Sequence, residues 1–323
     1  RHIAMTYQTV SDDHALIRPI DKLAHHIALL RPSHWFKSII AVPIGAVFLL
    51  NEATGPTLLS LLATIAMFVF ASSAVYVIND LSDIERDRLH PTKRLRPLPS
   101  GLVSVAAAKL MLLVLLVAMA ILSTQLPILV SVFVGIYLLS NIAYSMRLKH
   151  VPIAEMQIVA MGFALRTASG YLAFGVFPNE LVVATVFAGS LLLTIGKRRE
   201  ELKSVEKSAS HRPVLAHYSI GLLDAYLIVC AFMCLVLGLA AMRDIFEARD
   251  LTVLFFVSLP FVVFLLQRYL MLAFVGTSTS NPTRMLLTDR SIHRVMGVWG
   301  GVLLVGICLD ALGVDATLMM QAL

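Results

Sequence analysis

The chain is expected to be an all-α, polytopic membrane protein, a bundle of nine transmembrane helices with its active site on the cytoplasmic side. Of 323 residues, 58% are hydrophobic and only 14% are charged. The mean hydropathy is +0.84. Several apolar runs approach or exceed the roughly 20 residues that cross a bilayer. Length alone would suggest two domains, but residues 26–323 read as a single transmembrane helical domain, after a polar and partly disordered segment over 1–25. That segment lacks the apolar core of a signal peptide, and Arg-His-Ile-Ala before Met5 reads as an expression remnant, with Met5 the natural start.

The nine spans are placed at 36–50, 57–78, 102–123, 126–144, 151–175, 181–196, 219–242, 251–273 and 295–313. The first is short and contains Pro43, so it should begin earlier, near Trp35. The second is an unbroken apolar run that ends at Asn79-Asp80, and the third follows Ser100-Gly101, with Lys109 snorkelling to the interface. The fourth ends at Tyr144, the fifth carries Arg166 and the sixth ends at Gly196-Lys-Arg-Arg. Cys230, Cys234 and Cys308 lie in the seventh and ninth spans as small packing residues, with no neighbouring His or further Cys to suggest metal or redox chemistry.

Charge sets the orientation. The N-terminal segment, residues 79–101, 145–150 and 197–218, and the connection with Arg284, Arg290 and Arg294 hold nearly all Lys and Arg. The alternate connections, near Asn51, Thr124, Pro178 and Asp244, hold only Arg243 and Arg249. By the positive-inside rule the N-terminus is cytoplasmic and the C-terminus outside, in the cell inner membrane. Arg268, Arg284, Arg290, His293 and Arg294 then serve topology. The net charge of +6 follows from this arrangement and does not point to nucleic acid. Every motif-bearing loop emerges on one face and can build one site, whereas a transporter would place polar groups near the midplane of two matching halves. No inverted repeat is visible.

The chain is organised around residues 79–101. If the second helix continues, Asp80, Asp83 and Asp87 stand at i, i+3 and i+7, within roughly 60° of arc. Three carboxylates on one face repel unless a cation neutralises them, and hard oxygen ligands with room for phosphates suit Mg²⁺. Lys93, Arg94 and Arg96 follow and could receive anionic groups that the metal leaves uncovered. The competing reading is a solvated acidic-then-basic loop.

Other constellations also carry two readings. Arg31 and Lys37 flank Trp35 as an interfacial anchor or as phosphate ligands. Tyr144, Arg147 and Lys149 form a basic turn that either marks the inside or contacts a phosphate. Arg166 lies deep in an apolar span, so it must face the interior and have a partner; Glu155, eleven residues earlier, is near the same stripe. Lys197 and Glu201 could form an i,i+4 ion pair. Residues 197–218 contain no Asp, so no second aspartate cluster can form there.

Asn79-Asp80-x-x-Asp83-x-x-x-Asp87 at the end of the second of nine helices resembles the first signature of the UbiA superfamily of intramembrane prenyltransferases. Members usually carry a second Asp-rich motif after the sixth helix, where this chain has Lys197-Arg198-x-x-Glu201. With Arg31-Pro-x-x-Trp35-x-Lys37, His90-Pro-Thr-Lys-Arg94-x-Arg96-Pro, Tyr144-Ser-x-x-Leu-Lys149-His, Leu165-Arg166 and Gly196-Lys-Arg198, it is similar to the decaprenyl-phosphate phosphoribosyltransferase branch. The resemblance implies transfer of phosphoribose from phosphoribosyl pyrophosphate to a polyprenyl phosphate lipid, releasing pyrophosphate, for cell-wall arabinan synthesis. It implies Mg²⁺ on Asp80, Asp83 and Asp87 with Asn79, and Lys37 and Arg166 among the catalytic groups. Arg31, Lys93, Arg94, Arg96, Tyr144, Arg147, Lys149, Lys197, Arg198 and Glu201 would bind substrate. The alternative is a prenyltransferase acting on an aromatic or other small acceptor. A homo-oligomer is compatible with either reading.

Overall fold

The computed structural model describes residues 19–47, 49, 53–205, 213–275 and 288–311. Residues 1–18 of the polar segment, and Lys207, His211, Arg212 and Arg284, lie outside the described residues. Every regular element among the described residues is helical. They are α1 (Pro19–Leu29), α2 (Phe36–Ile44), α3 (Gly55–Ser82), α4 (Ile84–Arg88), α5 (Val105–Ser123) and α6 (Ile128–Met146). They continue with α7 (Ala154–Ala173), α8 (Glu180–Val205), α9 (Ile220–Glu247), α10 (Thr252–Val275) and α11 (Arg290–Ala311).

Seven helices among the described residues, α3, α5, α6 and α8 to α11, are long and apolar enough to cross a membrane. The first and fifth expected spans differ from these. α2 has nine residues, with Pro43 inside it. α7 has 20 residues, but Glu155, Arg166, Thr167 and Ser169 are buried along it, so its polar groups face protein and dilute its apolar character. Elsewhere the apolar surface faces out: Leu110, Leu113, Val114, Val117 and Ile121 of α5 are all exposed. Such a surface suits lipid, with the helical backbone bonded within itself.

Short polar side chains fix the helix starts. Before α3, the Thr54 N–H donates to Thr57 Oγ1 at 2.8 Å and the Thr57 N–H donates back to Thr54 Oγ1 at 3.4 Å, a reciprocal cap ahead of an apolar run. Asn179 Oδ1 takes the Val182 N–H at 3.0 Å before α8, and Ser219 Oγ takes the Leu222 N–H at 3.2 Å before α9, each satisfying an otherwise orphaned donor.

The chain forms two compact units. The first comprises the described parts of Arg1–Phe36 with Val69–Leu122, and its core is Leu29, Val77, Leu98, Val103 and Ala108. The second comprises the described parts of Lys37–Phe68 and Ser123–Leu323. There α8 packs on both α7 and α9, α6 on α7, α9 on α10, and α10 on α11. A core of Met156, Ala160, Leu191, Leu192, Ile195, Leu223 and Leu227 joins α7, α8 and α9.

Within the second unit α2 meets α7 backbone to backbone. Thr167 Oγ1 donates to the Ala41 carbonyl at 3.0 Å. A Cβ on Gly45 would lie 1.9 Å from the Thr167 carbonyl oxygen, and one on Gly170 would lie 2.0 Å from the Val42 carbonyl oxygen. Small residues let helices approach this closely in a membrane, and carbonyls cannot move aside as side-chain ends do. Gly170→Ala is therefore expected to cost about 1–3 kcal/mol or more by overpacking. A lowered melting temperature of the detergent-solubilised protein reports it. Gly135→Ala, whose added Cβ meets nothing within 4 Å, is expected to leave the melting temperature unchanged or slightly raised.

Candidate functional site

In the first unit the expected aspartates sit at a helix break. The shared face of the three was conditional on the second helix continuing; α3 runs on past the apolar span to Ser82, and Asp83 has φ −103° and ψ 6° before α4 begins at Ile84. Helical hydrogen bonds bridge the break, from the Asp83 N–H to the Asn79 carbonyl at 3.0 Å and from the Asp87 N–H to the Asp83 carbonyl at 2.8 Å. The chain thus stays close to helical, and Asp80 and Asp87, seven residues apart, keep the same side and are buried. Asp83, rotated off that stripe, is half-buried and lies 3.5 Å from exposed Arg86.

Three cations cover the buried acids. Arg31 Nη2 donates to Asp80 Oδ1 at 2.6 Å. Arg96 Nη1 stands between the two carboxylates, 2.7 Å from Asp87 Oδ2 and 3.5 Å from Asp80 Oδ1. Lys93 Nζ is 3.5 Å from Asp87 Oδ1, which is buried without a hydrogen-bond partner.

Local structure explains why these cations arrive here. Arg31 holds a left-handed backbone, φ 52° and ψ 64°, before the 3₁₀ turn Pro32–His34. Trp35 Nε1 donates to Ser73 Oγ at 3.1 Å, and Ser73 Oγ donates to the Leu30 carbonyl at 3.1 Å. That turn is thereby clamped to α3, and Arg31 lies over the Tyr76 ring at 4.5 Å. Downstream, buried Leu98 anchors the loop in the first core, while Ser100 Oγ donates to the Arg96 carbonyl at 2.6 Å. Sequence reading missed Ser73 and Tyr76, although with Asp80 they recur at i, i+3 and i+7 on one face of α3.

The donors suit a hard divalent cation in part. Among the described residues no three His, Cys, Asp or Glu are grouped closely enough to hold a metal. Two buried carboxylates do converge on one cation, however, and one buried oxygen lacks a hydrogen bond. Such a pair leaves the remaining coordination positions to ligand oxygens or water, as Mg²⁺ prefers. Asp83 lies on the same segment outside the converged pair, and Asn79 is half-buried one turn before it. Arg94 is exposed.

In the second unit Arg166 is buried without Glu155. Its Nε donates to Ser38 Oγ at 3.0 Å and its Nη1 to the Gly162 carbonyl at 2.7 Å. Its guanidinium lies 4.3 Å from the Tyr137 ring centre and 5.4 Å from that of Phe68, a cation–π cage. Half-buried Lys37, next to Ser38, lies within electrostatic range of Arg166 and Lys197. No carboxylate partner is seen for Lys37, Arg166 or Lys197 among the described residues.

Glu155 instead binds Arg198 bidentately, at 2.6 Å to each oxygen. Arg198 Nη1 also reaches Glu201 at 2.7 Å, so Glu201 turns to the residue beside Lys197. Arg199 bonds Asp224 and donates to the Ala273 carbonyl at 2.7 Å. Tyr144 and Lys149 are half-buried and Arg147 is exposed at the end of α6 and the following 3₁₀ turn Leu148–His150. Beyond that turn, Ile153 has φ 67° and donates its N–H to Tyr218 Oη at 2.6 Å. Burial pushes the Tyr218 hydroxyl up, so it remains protonated. Asp289, ahead of α11, accepts from Arg268 Nη2 at 2.8 Å, a bond that holds its carboxyl below the usual range.

Residues 40–288 match the UbiA prenyltransferase family. The chain is 32% identical over 212 residues to the decaprenyl-phosphate phosphoribosyltransferase of Corynebacterium glutamicum, a match covering 63% of each protein. It is 28% identical over 289 residues to the decaprenyl-phosphate phosphoribosyltransferase of Mycolicibacterium smegmatis, covering 86% of this chain and 90% of the relative. Its fold is similar to that of a UbiA homologue from Archaeoglobus fulgidus bound to GPP and Mg²⁺, with a TM-score of 0.60 and 16% identity over 90% of this chain and all of the other.

The Glu155–Arg198 pair generates a stability prediction. Glu155→Ala leaves a buried guanidinium uncompensated on that side and is expected to cost about 3–5 kcal/mol, whereas replacing both residues with apolar ones of similar volume recovers most of the loss. Thermal unfolding in detergent of Glu155→Ala beside the double variant Glu155→Leu, Arg198→Met checks both.

Proposed function

This chain belongs to the UbiA prenyltransferase family of membrane-embedded transferases, and we propose that it moves phosphoribose from phosphoribosyl pyrophosphate to a polyprenyl phosphate of decaprenyl type. Pyrophosphate is released, and the product supplies arabinose for cell-wall arabinan. The observation that carries this reading is one buried carboxylate pair set among Arg31, Lys93 and Arg96. A donor with a pyrophosphate leaving group and a separate phosphate calls for one metal and a strongly basic pocket, where two diphosphate-bound metals would call for two acidic clusters. The Asp-free stretch 197–218 agrees with it, as do the names of the relatives above.

Asp80 and Asp87, with Asp83 and Asn79, would hold Mg²⁺, which when bound supplies charge neutralisation to the departing pyrophosphate. The Archaeoglobus homologue carries that ion with its diphosphate. On the first unit Arg31, Lys93, Arg94 and Arg96 would hold phosphate oxygens of the donor, and on the second Lys37 would receive a phosphate. Arg166 and Lys197 would serve the acceptor, beside Arg198, whose charge Glu155 and Glu201 already meet, and Tyr144, Arg147 and Lys149 would receive a further phosphate. The lipid phosphate is already an anion at neutral pH, so no general base is required. Its oxygen bonds the anomeric carbon as the carbon–pyrophosphate bond breaks and the electron pair leaves with pyrophosphate. The chain's contribution is positioning and charge stabilisation. The site faces the cytoplasm, at the inner leaflet where the lipid phosphate is presented.

Purified protein given labelled phosphoribosyl pyrophosphate and polyprenyl phosphate is expected to place label in the lipid extract with magnesium and not without it. Asp80→Asn, Asp83→Asn and Asp87→Asn are each expected to lower turnover by about 10²-fold or more while the protein remains inserted. Label entering lipid from a prenyl diphosphate and never from phosphoribosyl pyrophosphate would overturn the proposal.

A further inference from the structure

Asp80 and Asp87 are sealed and the cations over them are not. Asp80 and Asp87 side chains are 4% and 1% exposed, against 25%, 34% and 40% for Arg31, Arg96 and Lys93. The carboxylates are therefore fixed in the protein, and three long flexible side chains close over them from the solvent side. A divalent ion seeking these oxygens meets a guanidinium nitrogen already shared between them. It also meets more positive than negative charge, since three cations cover two carboxylates. If it displaced the cations alone, it would leave them crowded beside a second positive centre with no anion to receive them. A diphosphate supplies that anion, because its oxygens offer Arg31, Arg96 and Lys93 new partners of the kind guanidinium groups bind well.

We infer that these side chains form a counter-ion cap that is exchanged as a unit: the metal and a diphosphate enter together, the carboxylates pass from guanidinium to metal, and the freed cations pass from carboxylate to phosphate. The buried Asp87 Oδ1, with no hydrogen-bond partner and only Lys93 Nζ at 3.5 Å, is the atom the resting arrangement leaves unsatisfied and the exchange satisfies. The inference rests on the metal reading of Asp80 and Asp87 given above. It adds that metal and diphosphate are positively coupled and that Arg96 opposes the free metal while favouring the diphosphate. By linkage, each ligand must tighten the other by the same factor.

The test uses Mn²⁺ as an observable substitute and inorganic pyrophosphate as the anion, with protein-bound Mn²⁺ measured by electron paramagnetic resonance after separation from free ligand. Wild-type protein is expected to bind Mn²⁺ at least about tenfold more tightly with saturating pyrophosphate, within the roughly 5–150-fold range of coupled sites. Arg96→Gln is expected to tighten Mn²⁺ alone by about fivefold or more and to weaken pyrophosphate, with Arg31→Gln moving both in the same directions. An arginine that only holds phosphate would leave Mn²⁺ alone unchanged, and one that only supports the fold would weaken both ligands. Equal Mn²⁺ affinity with and without pyrophosphate, abolished by Asp80→Asn, would overturn the exchange and leave the metal site standing. Failure to bind Mn²⁺ under either condition would remove both. The wild-type comparison needs no variant to fold.

Discussion

Charge withdrawn from water must be answered inside the protein, and that constraint arranges the polar residues of both units. In the first, Asp80 and Asp87 are tolerable only because Arg31, Arg96 and Lys93 lie over them. In the second, Arg198 and Arg199 are adjacent on α8 and so project about 100° apart. One turns to Glu155 on α7 and the other to Asp224 on α9 and the Ala273 carbonyl on α10. Two consecutive residues thus tie α8 to three neighbours. In a bundle whose outer faces are apolar, where lipid gives little drive for helices to associate, such pairs and close backbone contacts carry specificity.

Arg166 shows the same constraint met without a carboxylate. Ser38, the Gly162 carbonyl and the faces of Tyr137 and Phe68 divide the task of accommodating it. Dipoles and ring quadrupoles solvate a guanidinium while leaving its net charge available. With Lys37 nearby, this part of the second unit has positive charge that no carboxylate among the described residues cancels. The charge on Arg198, by contrast, is already met by Glu155 and Glu201.

The apolar runs made the helices and their order legible, because crossing length and hydropathy are local properties of sequence. The motif at 79–101 was legible for the same reason: Asp80 and Asp87 share a side through simple periodicity, and that survived the break at Asp83. Pairing was not legible. Glu155 and Arg166 lie near one stripe of α7, yet the glutamate turns to Arg198 on α8, a choice fixed by packing between helices that no single helix records. Trp35, read as an interface residue, also clamps its turn by a hydrogen bond to Ser73, visible only once α3 lies beside the turn. Of the two expected spans that differ, α2 is marked as short by Pro43 in the sequence itself, whereas α7 carries polar groups whose burial only packing decides.

The contact between α2 and α7 has a consequence for how this chain can sit in a bilayer at all. Nine helical residues rise only about 13 Å, less than half of an apolar slab about 30 Å thick. A segment that stops partway ends in peptide groups that oil cannot hydrogen-bond. Here the Thr167 hydroxyl on the Ala41 carbonyl and the bare glycine faces at Gly45 and Gly170 put protein against those groups. A half-length helix is thereby sheltered by its neighbour: with no Cβ at those two positions, the backbones of the two helices close to direct contact and leave no gap for a lipid chain.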